Sequence, residues 1–367
     1  MTILRGASAA LLVGVAVSVC TARCATARPK KHEATNVPLR SAGAAWDDPQ
    51  RCETAIAAGA RLTRAELRVR LATWNIKWFP DGKPGKGETT RNGGTDIAWL
   101  ACALTWLDAD VVALQEVKQT PRAQEALAAL TSRLGELTGA KWSWLSDRCP
   151  DPYKQRLTYL YRDDRVSLTL AATHGELDPT AAPDGTPECP GFLRPALGAY
   201  VKSKRGGLDF HLLDVHLDSG PNPRDYEHRR FAWAAFETIT KKRQALYADT
   251  DVVVGGDFNT MGCKSCGVAD GVAEQRELTD LLAKLTAPFV VVKKDLACTQ
   301  YYRGKASVLD HWLVSATMQE AANASATVSG VCAGARCQDV DPDRQAAIGA
   351  LSDHCPTTLD LVDEDRD

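Results

Sequence analysis

The run Val252-Val253-Val254 ends at Gly255 and Gly256 and is followed at once by Asp257-Phe258-Asn259. Three β-branched residues closed by two glycines read as a buried strand, because stiff side chains pack well on a pleated surface and glycine ends the run. Just past it the chain sets a carboxylate and a carboxamide two residues apart. Alternate side chains of extended backbone point the same way, so Asp257 and Asn259 face one pocket. A charged acceptor beside a neutral donor and acceptor suits holding a water or a phosphate oxygen near a metal. The same pair also builds an Asx turn. The weight of the motif therefore rests on what accompanies it elsewhere.

With 367 residues, 44 % of them hydrophobic, the chain can build one large or two ordinary domains around a substantial core. Arg5, the apolar stretch from Ala7 to Val19 and the small-x-small site Ala25-Thr26-Ala27 together read as a cleaved leader. A buried N-terminal helix is the weaker reading, since Arg28, Lys30 and Lys31 follow without core-like periodicity. Lipid attachment at Cys20 is disfavoured by Val19 before it. The mature chain is expected to begin near Arg28, in a secreted or periplasmic setting. Beyond the leader no apolar run is long enough to span a bilayer, so no stable membrane insertion is expected. Removing Arg5 and Arg23 leaves 42 basic against 46 acidic residues, which argues against a globally basic nucleic-acid binder. Attraction for phosphate has to come from a local patch and a bound cation.

Cys20 and Cys24 leave with the leader, and ten cysteines remain. An even number behind a leader favours disulfides in an oxidising space. Cys263-x-x-Cys266 resembles half of a zinc site but lacks a second half. Cys332–Cys337 is the easiest local closure to draw.

Residues 28 to about 50 are polar and aperiodic, as in a linker, and Asp48 to Leu67 has helical composition, with Cys52 placed to pin it. Strand-like and helix-like stretches then alternate. Strands are expected at Leu67–Trp74, Val111–Leu114, Leu157–Tyr161, Val166–Ala172, Leu197–Lys202, Phe210–His216 and Val252–Val254, and later near Phe289–Val292, His311–Val314 and Thr357–Leu361. Helices are expected over Thr95–Leu107, from Thr120-Pro121 to about Leu134, over Tyr226–Leu246 and over Ala273–Leu285. So many strands with so few helices between them fit two sheets packed face to face with helices outside. The expected organisation is a leader at 1–27, a linker and helical segment at 28–66, one domain at 67–362 and a solvated acidic tail at 363–367.

Five further strand boundaries carry polar residues that can do chemistry: Asn75, Gln115-Glu116, His216, Asp310-His311 and Ser352-Asp353-His354. Each has an ordinary reading as a turn residue, a helix cap, a surface histidine or a local ion pair. Their coincidence at the ends of successive apolar strands shifts the balance.

The motifs Thr73-Trp74-Asn75-Ile76, Leu114-Gln115-Glu116-Val117, Asp214-Val215-His216-Leu217, Gly256-Asp257-Phe258-Asn259, Leu309-Asp310-His311 and Ser352-Asp353-His354-Cys355-Pro356 resemble, in order, those of the endonuclease/exonuclease/phosphatase superfamily. The resemblance implies a deoxyribonuclease I-like, four-layer α/β sandwich of two mixed sheets flanked by helices. It also implies phosphate-ester hydrolysis dependent on Mg2+ or Mn2+, with Ca2+ as a structural or assisting ion. Glu116 with Asn75 resembles the metal-binding pair, and Asp353 an additional metal-side or phosphate-side carboxylate. Asp257 and Asn259 resemble the residues that orient water and phosphate. His216 and His354 resemble the histidines flanking the scissile phosphate, with Asp310 orienting His354.

Tyr153 and Arg194 resemble segments that contact the DNA backbone in deoxyribonuclease I-like nucleases, and Lys77 and Lys118 stand where those nucleases place arginines. Gln155 departs from the pattern, which has a glutamate paired with the His216 equivalent; a neutral glutamine can hold the ring without raising its pKa. The loop 81–92, with Lys83, Lys86 and Arg91 among glycines, reads equally as a phosphate-attracting flap and as a solvated loop. The implied function is a monomeric, secreted endonuclease acting on DNA, and on RNA as a second nucleic acid. Competing readings are a sphingomyelinase-like or phosphoinositide-directed enzyme, disfavoured by the lack of a long apolar insertion, and a non-catalytic binding protein on the same scaffold.

Overall fold

The computed structural model describes residues 43–83, 94–149, 155–191 and 193–366. The expected leader and the linker as far as residue 42 lie outside the described residues. The chain runs through a 3-10 turn (Ala44–Trp46), α1 (Pro49–Ala57), β1 (Arg68–Phe79), α2 (Ile97–Leu107), β2 (Val111–Lys118), α3 (Pro121–Thr138), β3 (Trp142–Ser146), β4 (Gln155–Arg162), β5 (Val166–His174), β6 (Ala196–Ser203) and β7 (Asp209–His216). It continues with α4 (Pro223–Leu246), β8 (Val252–Asp257), α5 (Gly271–Leu282), β9 (Phe289–Val291), β10 (Lys293–Lys294), β11 (Gln300–Tyr302), β12 (Lys305–Ser307), β13 (Asp310–Ser315), β14 (Ser325–Val328), α6 (Gly330–Ala335), α7 (Ala346–Ala350) and β15 (Thr357–Val362).

Two mixed sheets form the centre, one of seven strands in the order β10-β14-β15-β1-β2-β4-β3 and one of six in the order β5-β6-β7-β8-β13-β9. The period-2 alternation of the strands sorts their side chains into layers. In β1, Val69 and Leu71 point into the core between the sheets, while Ala72, Trp74 and Ile76 pack under α2 and α3. In β8, Val253 faces the inter-sheet core, and Val252 and Val254 pack with Trp233 and Phe236 of α4. Helices thus cover both outer faces, and the expected four-layer sandwich is what the chain forms.

Caps fix the helix starts. Thr120 and Asp96 accept backbone N–H groups from Ala123 and Trp99, and Gly139 takes the left-handed conformation that ends α3. Gly255 leaves the hollow that Trp312 fills; a Cβ there would come within 2.3 Å of the indole. Trp312 reaches across it to donate from Nε1 to Thr357 Oγ1 of the other sheet at 3.0 Å.

Several expectations are corrected. Cys332 pairs with Cys355, and Cys337 with Cys298, because α6 lies beside the approach to β15; Cys332 and Cys337 do not close on each other. Cys263 and Cys266 are bonded together, in keeping with the missing second half of a zinc site, so neither is available as a zinc thiolate. Cys52 does pin the N-terminal segment, through Cys102 of α2, but the helix there spans only Pro49–Ala57. Trp46 and Ile56 of this segment are buried in the core under the first sheet. Asp363, expected in a solvated tail, is buried, with its N–H donating to Leu67 O. Strands β3, β10, β11, β12 and β14 were not expected from the sequence. Among the described residues no helix is long and apolar enough to cross a membrane.

Candidate active site

The inter-sheet face turns polar at one end of both sheets. Along β7 the inward series is Phe210, Leu212, Asp214 and His216; along β8 it is Val253, Gly255 and Asp257. Along β13 it runs back from Val314 and Trp312 to Asp310. Register completes the arrangement: Asp257 is the partner of His216 in the parallel β7–β8 pair and of Asp310 in the antiparallel β8–β13 pair. Three chemically active side chains therefore stand in one row across three strands. Asn75 occupies the matching position on β1, paired with Gln115.

Glu116 reaches the same place by a different route. Strict alternation from Leu114 would turn it toward the helices. The ladder on both sides of β2 is irregular here, and Glu116 has φ of 64°, so its carboxylate is re-aimed to meet Asn75. His354 precedes β15 and is fixed from three directions. Trp74 Nε1 donates to its carbonyl at 2.9 Å, its own N–H donates to Ser352 Oγ at 3.0 Å, and Cys355 next to it is bonded to Cys332. Ser352 in turn donates to Asn75 O at 2.6 Å, joining the His354 loop to β1.

Asn75 Nδ2 donates to Glu116 Oε1 at 3.2 Å and to Asp257 Oδ2 at 3.0 Å, which orients both carboxylates. Glu116 Oε2 accepts from Trp78 N at 2.9 Å, and Asp257 Oδ1 accepts from Asn259 N at 2.9 Å. The Asn259 amide donates to Leu217 O at 2.9 Å. His216 Nε2 lies 3.4 Å from Asp257 Oδ2 and 4.0 Å from Glu116 Oε1. His354 Nδ1 is 3.0 Å from Asp310 Oδ2, and its Nε2 is 3.8 Å from the same Asp257 oxygen.

These surroundings drive the two imidazoles apart. Burial opposes charge on His354, but Asp310 and Asp257 outweigh it and push its pKa up to about 10. His216 is held well below the ordinary histidine range by burial first, then by Arg194 and His354. Burial likewise raises Asp257, with Asp310 adding to it and His354 opposing. Glu116 is raised by burial, against the pull of His354 and Asn75.

The Glu116 carboxylate is part-buried, its oxygens held by the Asn75 amide and the Trp78 N–H, with burial raising its pKa despite the nearby His354 and Arg194. Glu116 with Asn75 therefore fits a hard divalent cation, for which oxygen donors are the proper ligands. Asp257, Asp310 and His354 also bring one ligand atom each within 4.8 Å of one another. Asp353, the third expected metal ligand, lies on the rim, 3.0 Å from Lys77 Nζ.

The expected substrate contacts divide. Arg194 braces the site, donating from Nε to His216 O at 3.0 Å and from Nη2 to Leu217 O at 3.1 Å. Its Nη1 lies 3.4 Å from Gln155 Oε1. Gln155 does not hold the His216 ring: His216 Nδ1 is buried with no hydrogen-bond partner among the described residues. Lys118 is turned to Asp81, at 2.5 Å, and to Gly82 O, at 3.1 Å. Tyr153 and residues 84–92 of the glycine-rich loop lie outside the described residues. Thr299 was missed by sequence reading. Its hydroxyl accepts from both Leu309 N and Asp310 N at 3.0 Å, yet a lone threonine outside any apolar pattern gives no signal.

A sequence model described as the endonuclease/exonuclease/phosphatase family matches residues 72–354. In fold the chain is similar to the catalytic domain of human Nocturnin, solved with a bound sulfate anion, at 15 % identity and a TM-score of 0.52 over 81 % of this chain and 95 % of that one. It is similar also to an endonuclease/exonuclease/phosphatase family protein from Bacteroides thetaiotaomicron, at 15 % identity and a TM-score of 0.52 over 82 % and 98 % of the two chains. A third likeness is to the endonuclease/exonuclease/phosphatase from Bacteroides vulgatus, at 16 % identity and a TM-score of 0.51 over 80 % and 98 %. No curated protein sequence matches.

Proposed function

The chain belongs to the endonuclease/exonuclease/phosphatase family, whose members are phosphoric ester hydrolases, and from that premise we propose that it is a divalent-metal-dependent phosphodiesterase that cleaves DNA, with RNA as a second polymer substrate. One observation carries this reading: a single Asp257 oxygen faces Nε2 of both His216 and His354, at 3.4 and 3.8 Å. A phosphodiester seated between two imidazoles would place its attacking water beside that oxygen.

In this reading Asp257 accepts the proton of the attacking water, and its own position is set by Asn75 and by the Asn259 N–H. The water oxygen bonds to phosphorus as the opposite P–O bond breaks; the departing oxygen takes a proton from solvent, to which Asp257 later returns the one it accepted. His354, with Asp310 on its Nδ1, points Nε2 at the phosphate and stabilises the charge that grows there. Glu116, braced by Asn75, would hold Mg2+ or Mn2+, which when bound neutralises negative charge on the phosphate oxygens. Arg194 adds positive charge beside the site, where a polyanionic strand would lie, and Lys77, paired with Asp353, stands on its rim. Five disulfides among the described residues support an oxidising, extracytoplasmic setting.

The decisive assay is nicking of supercoiled plasmid by the mature protein with Mg2+ or Mn2+, with and without chelator, beside Asp257→Ala. Nicking that needs both the metal and Asp257 is the expected result. An intact plasmid under several divalent ions would sink the DNA reading. Phosphate or phosphocholine release from lipid vesicles without DNA cleavage would move the assignment to a lipid phosphoesterase.

A further inference from the structure

Behind the row of catalytic side chains lies a chain of hydrogen bonds that ends outside the site. Thr260 Oγ1 donates to Val308 O at 2.7 Å. A hydroxyl carries one proton, so at its 2.8 Å contact with His311 Nε2 the threonine oxygen must accept. That places the imidazole proton on Nε2. At the other ring nitrogen, Lys294 Nζ lies 2.9 Å from His311 Nδ1. Burial lowers the Lys294 pKa to about 8, with Asp310 opposing, so at neutral pH it is still an ammonium, which only donates; Nδ1 then carries a lone pair and the ring is neutral. The chain of donors therefore runs from Lys294 through His311 and Thr260 to Val308 O, with one tautomer allowed.

The members of this chain adjoin the site. Thr260 directly follows Asn259, and His311 directly follows Asp310. Both are buried, and the edge of the His311 ring meets the Phe258 ring at 5.5 Å. Lys294 belongs to β10 of the seven-stranded sheet, whereas His311 belongs to β13 of the six-stranded one. The contact thus ties the first sheet to the back of the row that carries Asp257 and Asp310.

We propose that Lys294 and His311 are positioning residues of the reaction: the ammonium locks the His311 tautomer, and that tautomer holds the Asn259–Thr260 turn and the Asp310 end of β13 at a fixed separation. Without Lys294 the ring is free to carry its proton on Nδ1. The single Thr260 proton must then go either to the bare Nε2 or to Val308 O, so the turn loses one of the two bonds that set its height against Asp310. Misplacement of reacting groups by about 1 Å can cost about 10²-fold in rate. The role rests on the phosphodiesterase reading of the site.

The test joins kinetics to the tautomer itself. Protein labelled with 15N-histidine, with the His311 signals identified by their loss in His311→Phe, is expected to show the neutral Nε2–H form. Lys294→Met is expected to shift His311 toward the Nδ1–H form and to lower kcat on a simple phosphodiester by about 10- to 100-fold with little change in KM. Lys294→Arg, which keeps a donor, should recover much of both. A wild-type His311 that is protonated on Nδ1 overturns the proposal, and so does a Lys294→Met protein with unchanged tautomer and unchanged kcat, or with a loss carried by KM. If Lys294→Met does not fold, Lys294→Gln and the wild-type spectrum decide. Should the wild type hydrolyse no phosphate ester, the functional reading fails, while the tautomer and its dependence on Lys294 still decide whether the relay exists.

Discussion

Asp257 and Asp310 are register partners across β8 and β13, and they approach opposite nitrogens of one imidazole, that of His354. Two buried carboxylates at one row position repel each other, and the imidazolium between them relieves the repulsion. Substituting either carboxylate therefore has separable effects on chemistry and on stability. Asp257→Asn removes the proposed proton acceptor and should lower kcat by about 10²- to 10⁴-fold, while the loss of one buried charge leaves Tm unchanged or higher. Steady-state kinetics and calorimetry on the same preparation check both halves.

Asp310→Asn keeps the shape of the side chain but removes the charge that holds His354 protonated. Activity should fall while substrate affinity changes little, and the loss should be smaller than for His354→Ala, which removes the ring. A comparison of kcat and KM for the two variants tests the order.

Glu116→Gln leaves an amide in place of the carboxylate proposed to hold the metal. The concentration of Mg2+ or Mn2+ giving half-maximal activity should rise by about tenfold or more. Chelator should abolish wild-type activity, and added metal should restore it. A metal titration of nicking activity in the two proteins is sufficient.

The bond between Cys332 and Cys355 closes a separation of 23 residues and lies next to His354. By the chain-entropy argument such a crosslink contributes about 3 kcal/mol. The double variant Cys332→Ser/Cys355→Ser should melt earlier and, at temperatures where it remains folded, should lose turnover because the His354 loop has lost one of its three anchors. Thermal melts paired with kinetics at low temperature separate the two losses.

His211, far along β7 from the site, has a folded-state pKa pushed down to about 4, first by burial and then by Arg243 of α4 and His174 of β5. The Tyr247 carbonyl and Asp209 oppose the shift. The ring also stacks beside Tyr200 of β6 at 4.9 Å. An ordinary histidine titrates near pH 6.5. Between pH 6.5 and 4 the unfolded chain therefore takes up a proton that the folded chain refuses, and stability is lost as pH falls through that window. His211→Gln should flatten this part of the stability–pH curve relative to wild type, read as Tm from pH 7.5 down to 4.

The layers of the sandwich were legible because strand alternation is written directly in runs such as Val252-Val253-Val254, and because polar residues closing apolar runs are conspicuous. Asp257, His216 and Asp310 needed only that. Glu116 was named in sequence, but its aim depends on a bulge with positive φ, which no local pattern announces. The partners of Cys332 and Cys337 were misjudged because spatial neighbours outrank sequence neighbours once α6 packs beside β15. Strands as short as Lys293–Lys294 carry no periodicity, and β10 is a strand only because β14 pairs with it. The contact of Lys118 with Asp81 arises from a loop whose path the sequence leaves open.

Trp312 stands in the hollow left by Gly255 and bonds to Thr357 on the opposite sheet. Glu116 and Asn75 ride on one of these sheets, and Asp257, His216 and Asp310 ride on the other. The indole therefore acts as a gauge block: its bulk sets how far apart the two halves of the site are held, and its hydrogen bond stops one sheet from sliding over the other. The width of the candidate site is in this sense decided one layer beneath it, by a residue with no exposed surface of its own.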